Sequence, residues 1–232
     1  VRSKAQGREI MLFRAQNLGP IRDATLDLSK NLIILAGPNN SGKTYLGWAL
    51  YGLSQFNKAP ECVRELVDAA IASPTGTHDS GTFQAFVARF ADELCALYAK
   101  HIHRDFSAAR SAFASTLLAL NPSAATLPSS GWLHRSDEHL FQVDLQVHNN
   151  ALRLRVLAMK WEDRPADRPE VDIVGDRVSL ASLTSDAAKS LARHVSQAVM
   201  NRLRRAVFQS SFTIFPVERI ATTIFARELL IR

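Results

Sequence analysis

The sequence predicts an α/β fold, and three adjacent stretches predict it. Gly37-Pro38-Asn39-Asn40-Ser41-Gly42-Lys43-Thr44 reads G-x-x-x-x-G-K-T, the pattern of a P-loop that cradles the phosphates of a nucleoside triphosphate. The apolar run 31–36 before it reads as a buried parallel strand. Beyond it, Leu46, Ala49, Leu50 and Leu53 recur at helical spacing. Strand, glycine loop and helix is the order that phosphate binding needs. Backbone amides of the loop and of the helix start then converge on one anion, and the helix dipole adds partial positive charge there.

Each residue type in the loop has a chemical reason. Gly37 and Gly42 let the chain turn without a side chain in the path of the anion. Lys43 would reach the terminal phosphates as a point charge, and the Thr44 hydroxyl would ligate Mg²⁺. Asn39, Asn40 and Ser41 are small and polar, suited to a loop and not to a core. The plainer alternative is a glycine-rich turn that only links a strand to a helix.

The opening segment reads as two paired strands. Residues 10–17 are strand-like, Leu18-Gly19-Pro20-Ile21 is a turn, and residues 24–28 alternate with Leu26 and Leu28 on one face. Past Phe56 the pattern becomes helical. Pro60 suits a first turn, and Val63, Leu66, Val67, Ala70 and Ile71 follow at helical spacing. Residues 73–82 read as a Gly/Ser/Thr/Pro loop. A stripe from Phe83 to Tyr98 predicts a second helix, and one from Phe106 to Leu120 a third. Asn121-Pro122 ends it.

Two hairpins come next. Phe141, Val143, Leu145 and Val147 alternate with polar residues, as do Leu152, Leu154 and Val156. A two-residue turn at Asn149-Asn150 pairs Val147 with Leu152, Leu145 with Leu154 and Val143 with Val156, and sets Asp144 opposite Arg155. Residues 171–180 repeat the device around Gly175-Asp176. Thr184 or Ser185 caps a helix with Asp186 in its first turn and a stripe from Ala188 to Ala206. A short strand over 211–215, a stop at Pro216 and a helical start from Ile220 close the chain. The organisation expected is residues 1–58 as the N-terminal part of a nucleotide-binding lobe, 59–130 a helical insertion, 131–182 a hairpin region, and 183–232 a return to the lobe.

Composition bounds the function. At 232 residues and 47% apolar, the chain can hold one large domain or two small ones around a real core. A formal charge of +6 permits a nucleic-acid or acidic partner without requiring one. Cys62 and Cys95 lie in helical patterns and read as buried free thiols in a reducing cytosol, so a cytoplasmic location is expected. No 18-residue apolar run predicts a membrane span, and residues 1–8 lack the apolar core of a secretory signal. His101 and His103 do not share a helix face, and no third metal ligand accompanies them. Lys189, Arg193, Arg204 and Arg205 make a cationic element that reads as a solvated helix face, with DNA phosphate contact the alternative.

Three blocks carry a family resemblance. Residues 17–21 (NLGPI), then Leu26-Asp27-Leu28, then residues 32–44 ending in G-P-N-N-S-G-K-T, resemble the N-terminus of ABC-type ATPases of the SMC/RecF class. The loop wording is close to the branch holding OLD-type nucleases and bacterial defence "AAA family" ATPases. Phe215-Pro216-Val217-Glu218-Arg219 is similar to the P-x-E-R stretch of that branch. The resemblance covers about 35 residues at the N-terminus; residues 59–210 match no motif of the class. It implies a P-loop NTPase lobe of ABC type with a helical insertion and additional β-hairpins. It implies ATP and Mg²⁺ as cofactors, with Gly37, Asn39, Asn40, Ser41, Gly42, Lys43 and Thr44 at the nucleotide and Thr44 at the metal. Arg22 matches a basic residue near the nucleotide, and Glu218 and Arg219 a loop that senses the γ-phosphate.

In that class two lobes sandwich ATP, so the implied partner is a second copy or a homologous ATPase chain. DNA and an effector nuclease are the further partners it admits; a membrane is not among them. The implied function is ATP-driven dimerisation that switches a DNA-linked activity in anti-phage defence or DNA repair. The class also uses a signature loop, an apolar strand ending in Asp-Glu and a switch histidine. None is recognisable: Asp92-Glu93 lies in a helical repeat, and Lys160 breaks the run before Glu162-Asp163. No catalytic residue is therefore assigned, and the expectation is the N-terminal lobe of a larger or split ATPase. The alternative of another class is a non-catalytic, ATPase-derived scaffold that assembles an effector protein. A kinase-type P-loop fold is disfavoured by the paired strands before the motif.

Overall fold

The computed structural model describes residues 11–30, 32–122, 127–135, 139–160, 177–178, 180 and 183–208. Among these the protein is mixed α/β, with two antiparallel sheets and four α-helices. The chain divides into two compact units. One comprises Val1–Phe56, Leu94–Ala124 and Phe208–Arg232; the other comprises Asn57–Glu93 and Ala125–Val207.

The first unit is built on a three-stranded sheet. β1 (Leu12–Leu18) and β2 (Ile21–Asp27) form the hairpin that the sequence predicts, closed at Gly19-Pro20. Gln16 lies opposite Asp23 and Phe13 opposite Leu26. α1 (Lys43–Gln55) follows the phosphate loop and buries Leu46, Ala49, Leu50 and Leu53, the four positions its spacing predicts. Phe13 and Ala15 of β1 are fully buried, and α1 packs against that strand.

Two expectations in this unit fail. Residues 32–37 form no strand, and Leu32 and Ile34 are 75% and 77% exposed. The backbone groups of residues 32–36 make no hydrogen bond to a described residue. An apolar run becomes a buried parallel strand only when flanking strands take up its amides and carbonyls, and the described residues supply none. The third helix also fails. Residues 102–104 and 110–113 are single 3₁₀ turns, and β4 (Leu117–Asn121) pairs antiparallel with β1. Phe106 and Phe113, read as a helical stripe, instead meet Tyr45. Ladder bonds to β1 outweigh a helical spacing that Ser107, at φ 48°, interrupts.

The second unit holds a five-stranded sheet in the order β3-β7-β6-β5, with β8 also on β7. Its centre is the hairpin of β6 (His139–His148) and β7 (Ala151–Lys160). The register is the predicted one, including Asp144 opposite Arg155. Asn149 and Asn150 sit at φ 48° and 62°, the left-handed pair that a tight hairpin turn requires. β5 (Ser130–Arg135) flanks β6, and β8 (Arg177–Val178) pairs with Ala158 and Met159 of β7. The rest of the hairpin expected around Gly175-Asp176 lies outside the described residues.

β3 (Thr77–Thr82) corrects the expected loop at 73–82. Its composition is poor for a strand, but β7 offers a free edge, and Arg153 makes two 2.7 Å bonds to the Asp79 carboxylate. α2 (Glu61–Ala72) packs on β3 and β7. α3 (Phe83–Ala99) carries the expected aromatic stripe, with Phe83, Phe86 and Phe90 buried. Glu93 accepts the Cys62 amide at 2.8 Å and so caps the start of α2 from another helix. The carboxylate of the Asp92-Glu93 pair that points at α2 is thus structural. α4 (Ser185–Phe208) begins where Thr184 Oγ1 accepts the Ala187 amide and buries Leu191, Val195, Val199 and Leu203. Both cysteines are buried and unbridged. Among the described residues, no helix is long and apolar enough to cross a membrane.

Candidate functional site

The site grows out of the sharp turn between residue 37 and the first turn of α1. Gly37, Asn40 and Gly42 have φ of 151°, 64° and 90°, three left-handed residues within six. Gly42 is the N-cap of α1, and no side chain caps that end. The first intrahelical bond runs from the Leu46 amide to Gly42 O at 3.0 Å. The amides of Lys43, Thr44 and Tyr45 therefore remain unpaired with any described residue, as in any helix start without a cap. At Gly42 a Cβ would sit 2.4 Å from Ile21 Cγ1, so the hairpin turn presses directly on the loop.

Lys43 lies back over the loop. Its Nζ donates to Gly37 O at 2.7 Å, to Pro38 O at 2.6 Å and to Ser41 Oγ at 3.3 Å. These bonds hold the ammonium at the loop mouth. Asn39, Asn40, Ser41 and Thr44 are exposed, and Lys43 is half-buried.

A cavity of about 480 Å³ opens beside the loop. One wall is Gly37, Pro38, Ser41, Gly42 and Lys43; the other is β2 from Ile21 to Ala24; Ile34 to Ala36 and Leu46 complete it. Arg22 thus lines the same cavity as the loop. Alternation along β2 puts Arg22 on the face shared by Ala24 and Leu26.

The one acid in this wall, Asp23, is not marked by any motif. Arg14 binds it through Nε and Nη2, at 2.9 and 2.5 Å, and Gln16 adds a 3.3 Å bond. Bonding to Arg14 holds the Asp23 carboxyl below the usual aspartate range. The pairing matters electrostatically, because it offsets a negative charge that would otherwise oppose an anion beside Lys43 and Arg22. The hairpin register, which sets Gln16 opposite Asp23 and Arg14 two residues along, is the signal that could have found it. Glu218 and Arg219 lie outside the described residues.

The other candidates disperse. His101 Nδ1 bonds to Leu97 O at 2.8 Å, and its ring lies 5.6 Å from that of Phe56. Arg202 stacks on Trp132, 3.8 Å from the ring centroid, and donates to Ser130 Oγ at 2.9 Å. It supports the second unit from within. Among the described residues, no group of three or more His, Cys, Asp or Glu is placed to hold a metal.

No protein-family model, curated protein or solved structure matches this chain.

Proposed function

We propose that this chain is the ATP-binding lobe of an SMC/RecF-like ATPase, in which ATP-driven dimerisation switches a DNA-linked activity. The observation that carries the reading is local. A G-x-x-x-x-G-K-T loop folds with left-handed glycines into an uncapped helix start, and a cavity with two cations, Lys43 and Arg22, lies beside it. Unpaired amides, a helix dipole and an ammonium are three elements of a polyphosphate site; the strand expected before the loop does not form among the described residues.

The residues fit a magnesium triphosphate. Lys43, held on the Gly37 and Pro38 carbonyls, would give a bound phosphate charge-assisted bonds instead. The amides at 43–45 would donate to phosphate oxygens. Arg22 neutralises charge from the β2 side. Thr44 is exposed, and its hydroxyl would give Mg²⁺ one protein ligand. The metal would shield the phosphate charge. Sandwich formation and the defence or repair role rest on the sequence resemblance.

The test is titration of the chain with Mg-ATP, Mg-ADP and AMP by calorimetry. Phosphate-led recognition predicts affinity falling in that order, with AMP at least about 100-fold weaker than ATP, since two charged groups lose their partners. Equal affinity for AMP and ATP would assign the cavity to a nucleoside and overturn the reading.

A further inference from the structure

We infer that Tyr45 is a positioning residue that couples phosphate occupancy of the loop to the segment 102–116. The inference rests on the nucleotide reading above. Tyr45 follows Thr44 directly, so its backbone amide belongs to the anion site, while its ring is not part of the cavity lining. The ring stacks on Phe106, with centroids 4.8 Å apart and planes at 11°. Phe113 lies 6.3 Å from Tyr45 and 5.2 Å from Phe106, which closes an aromatic triangle. On its other side the ring abuts the β1–β2 turn, where a Cβ on Gly19 would come within 2.6 Å of Tyr45 Cε1.

The stack closes a mechanical circuit. The Thr116 amide donates to Phe113 O at 3.1 Å, and Thr116 Oγ1 donates to Asn17 O at 2.8 Å. Asn17 Nδ2 returns a bond to Ser115 O at 3.2 Å. From Asn17 the chain turns through Gly19 and Pro20 to Ile21, which presses on Gly42, and to Arg22 in the cavity wall. The far end of α1 meets the same segment, because Tyr98 Oη donates to Asp105 Oδ2 at 2.6 Å over Gly52. Every link of this circuit lies in the first unit.

Short 3₁₀ turns have few internal bonds and open easily, so residues 102–116 depend on such outside partners for order. An anion that fixes the amides of 43–45 fixes the Tyr45 backbone, and the stack passes that restraint to Phe106 and Phe113. The Tyr45 hydroxyl forms no hydrogen bond among the described residues, so the ring alone carries the effect.

Hydrogen exchange of the full chain, with and without saturating Mg-ATP, tests this. In the wild type and in Tyr45→Phe, amides in 102–116 slow at least about fivefold on binding, the lower end of ordinary coupling between sites. In Tyr45→Leu and in Phe106→Leu, at saturation, they do not slow. The two leucine variants approach the same stack from opposite sides, so a folding failure in one leaves the other to decide. Protection that persists in both, or its absence in a saturated wild type, overturns the inference and leaves the nucleotide reading standing. A wild type that binds no Mg-ATP overturns both.

Discussion

Gly42 carries the tightest constraint in the turn before α1. Its φ of 90° lies where a side chain is strained, and Ile21 occupies the space that a Cβ would need. Gly42→Ala should cost about 1–2 kcal/mol from the left-handed backbone alone, measurable as a lower denaturant midpoint. A full-stability alanine variant would show that the turn is not held as described. Cys62 provides a second test at this scale. Burial, aided by the nearby Glu93 carboxylate, pushes its thiol up to about 12, and it is 1% exposed. Native protein at pH 8 should therefore not react with a thiol reagent at Cys62 or Cys95, whereas denatured protein reacts at both. Rapid native labelling of Cys62 would contradict its packing between α2 and α3.

Elements differ in how well the sequence discloses them, and the reason is where their bonding partners lie. The β6–β7 hairpin is legible to the register because its turn, its alternation and its cross-strand charges all sit within about twenty residues. α1, α3 and α4 are legible because a helix satisfies its own backbone. β3 and β4 are not, because each exists through a ladder to a distant strand, β7 and β1 respectively. Residues 32–36 fail in the opposite direction, apolar enough for a central strand but without a ladder among the described residues. At the site, Gly37, Pro38, Ser41, Gly42, Lys43 and Arg22, expected from pattern and resemblance, line the cavity, whereas Asn39, Asn40 and Thr44 do not. Asp23 with Arg14, and Tyr45 with Phe106, need the fold. The exposure of Ile34 makes a direct prediction. Ile34→Thr should change stability by less than about 0.5 kcal/mol, as at ordinary surface positions. Leu154→Ala in β7, fully buried, should cost about 2–5 kcal/mol. A large loss at Ile34 in chemical denaturation would mean that its face is covered in solution.

The molecule as a whole carries a formal charge of +6 and ties several carboxylates to nearby cations. Asp23, Glu65 and Asp79 are held below their ordinary values by hydrogen bonds to Arg14, Arg89 and Arg153 respectively. A carboxylate whose folded value is depressed contributes stability above its unfolded value and loses it as pH falls through the folded one. The thermal midpoint should therefore hold from neutral pH down to about 5 and fall below about 4, where ordinary carboxylates titrate. Because these pairs are partly exposed, added salt should flatten that fall. A midpoint that rises on acidification would contradict the pairings. The central claim concerns one ammonium at the mouth of one loop, and calorimetric titration of Mg-ATP into wild type and Lys43→Ala tests it most directly. Among the described residues Lys43 bonds only to loop atoms, so the variant should keep its circular dichroism and thermal midpoint while losing about 100-fold or more in affinity. A folded Lys43→Ala protein that binds Mg-ATP as tightly as the wild type would contradict the account.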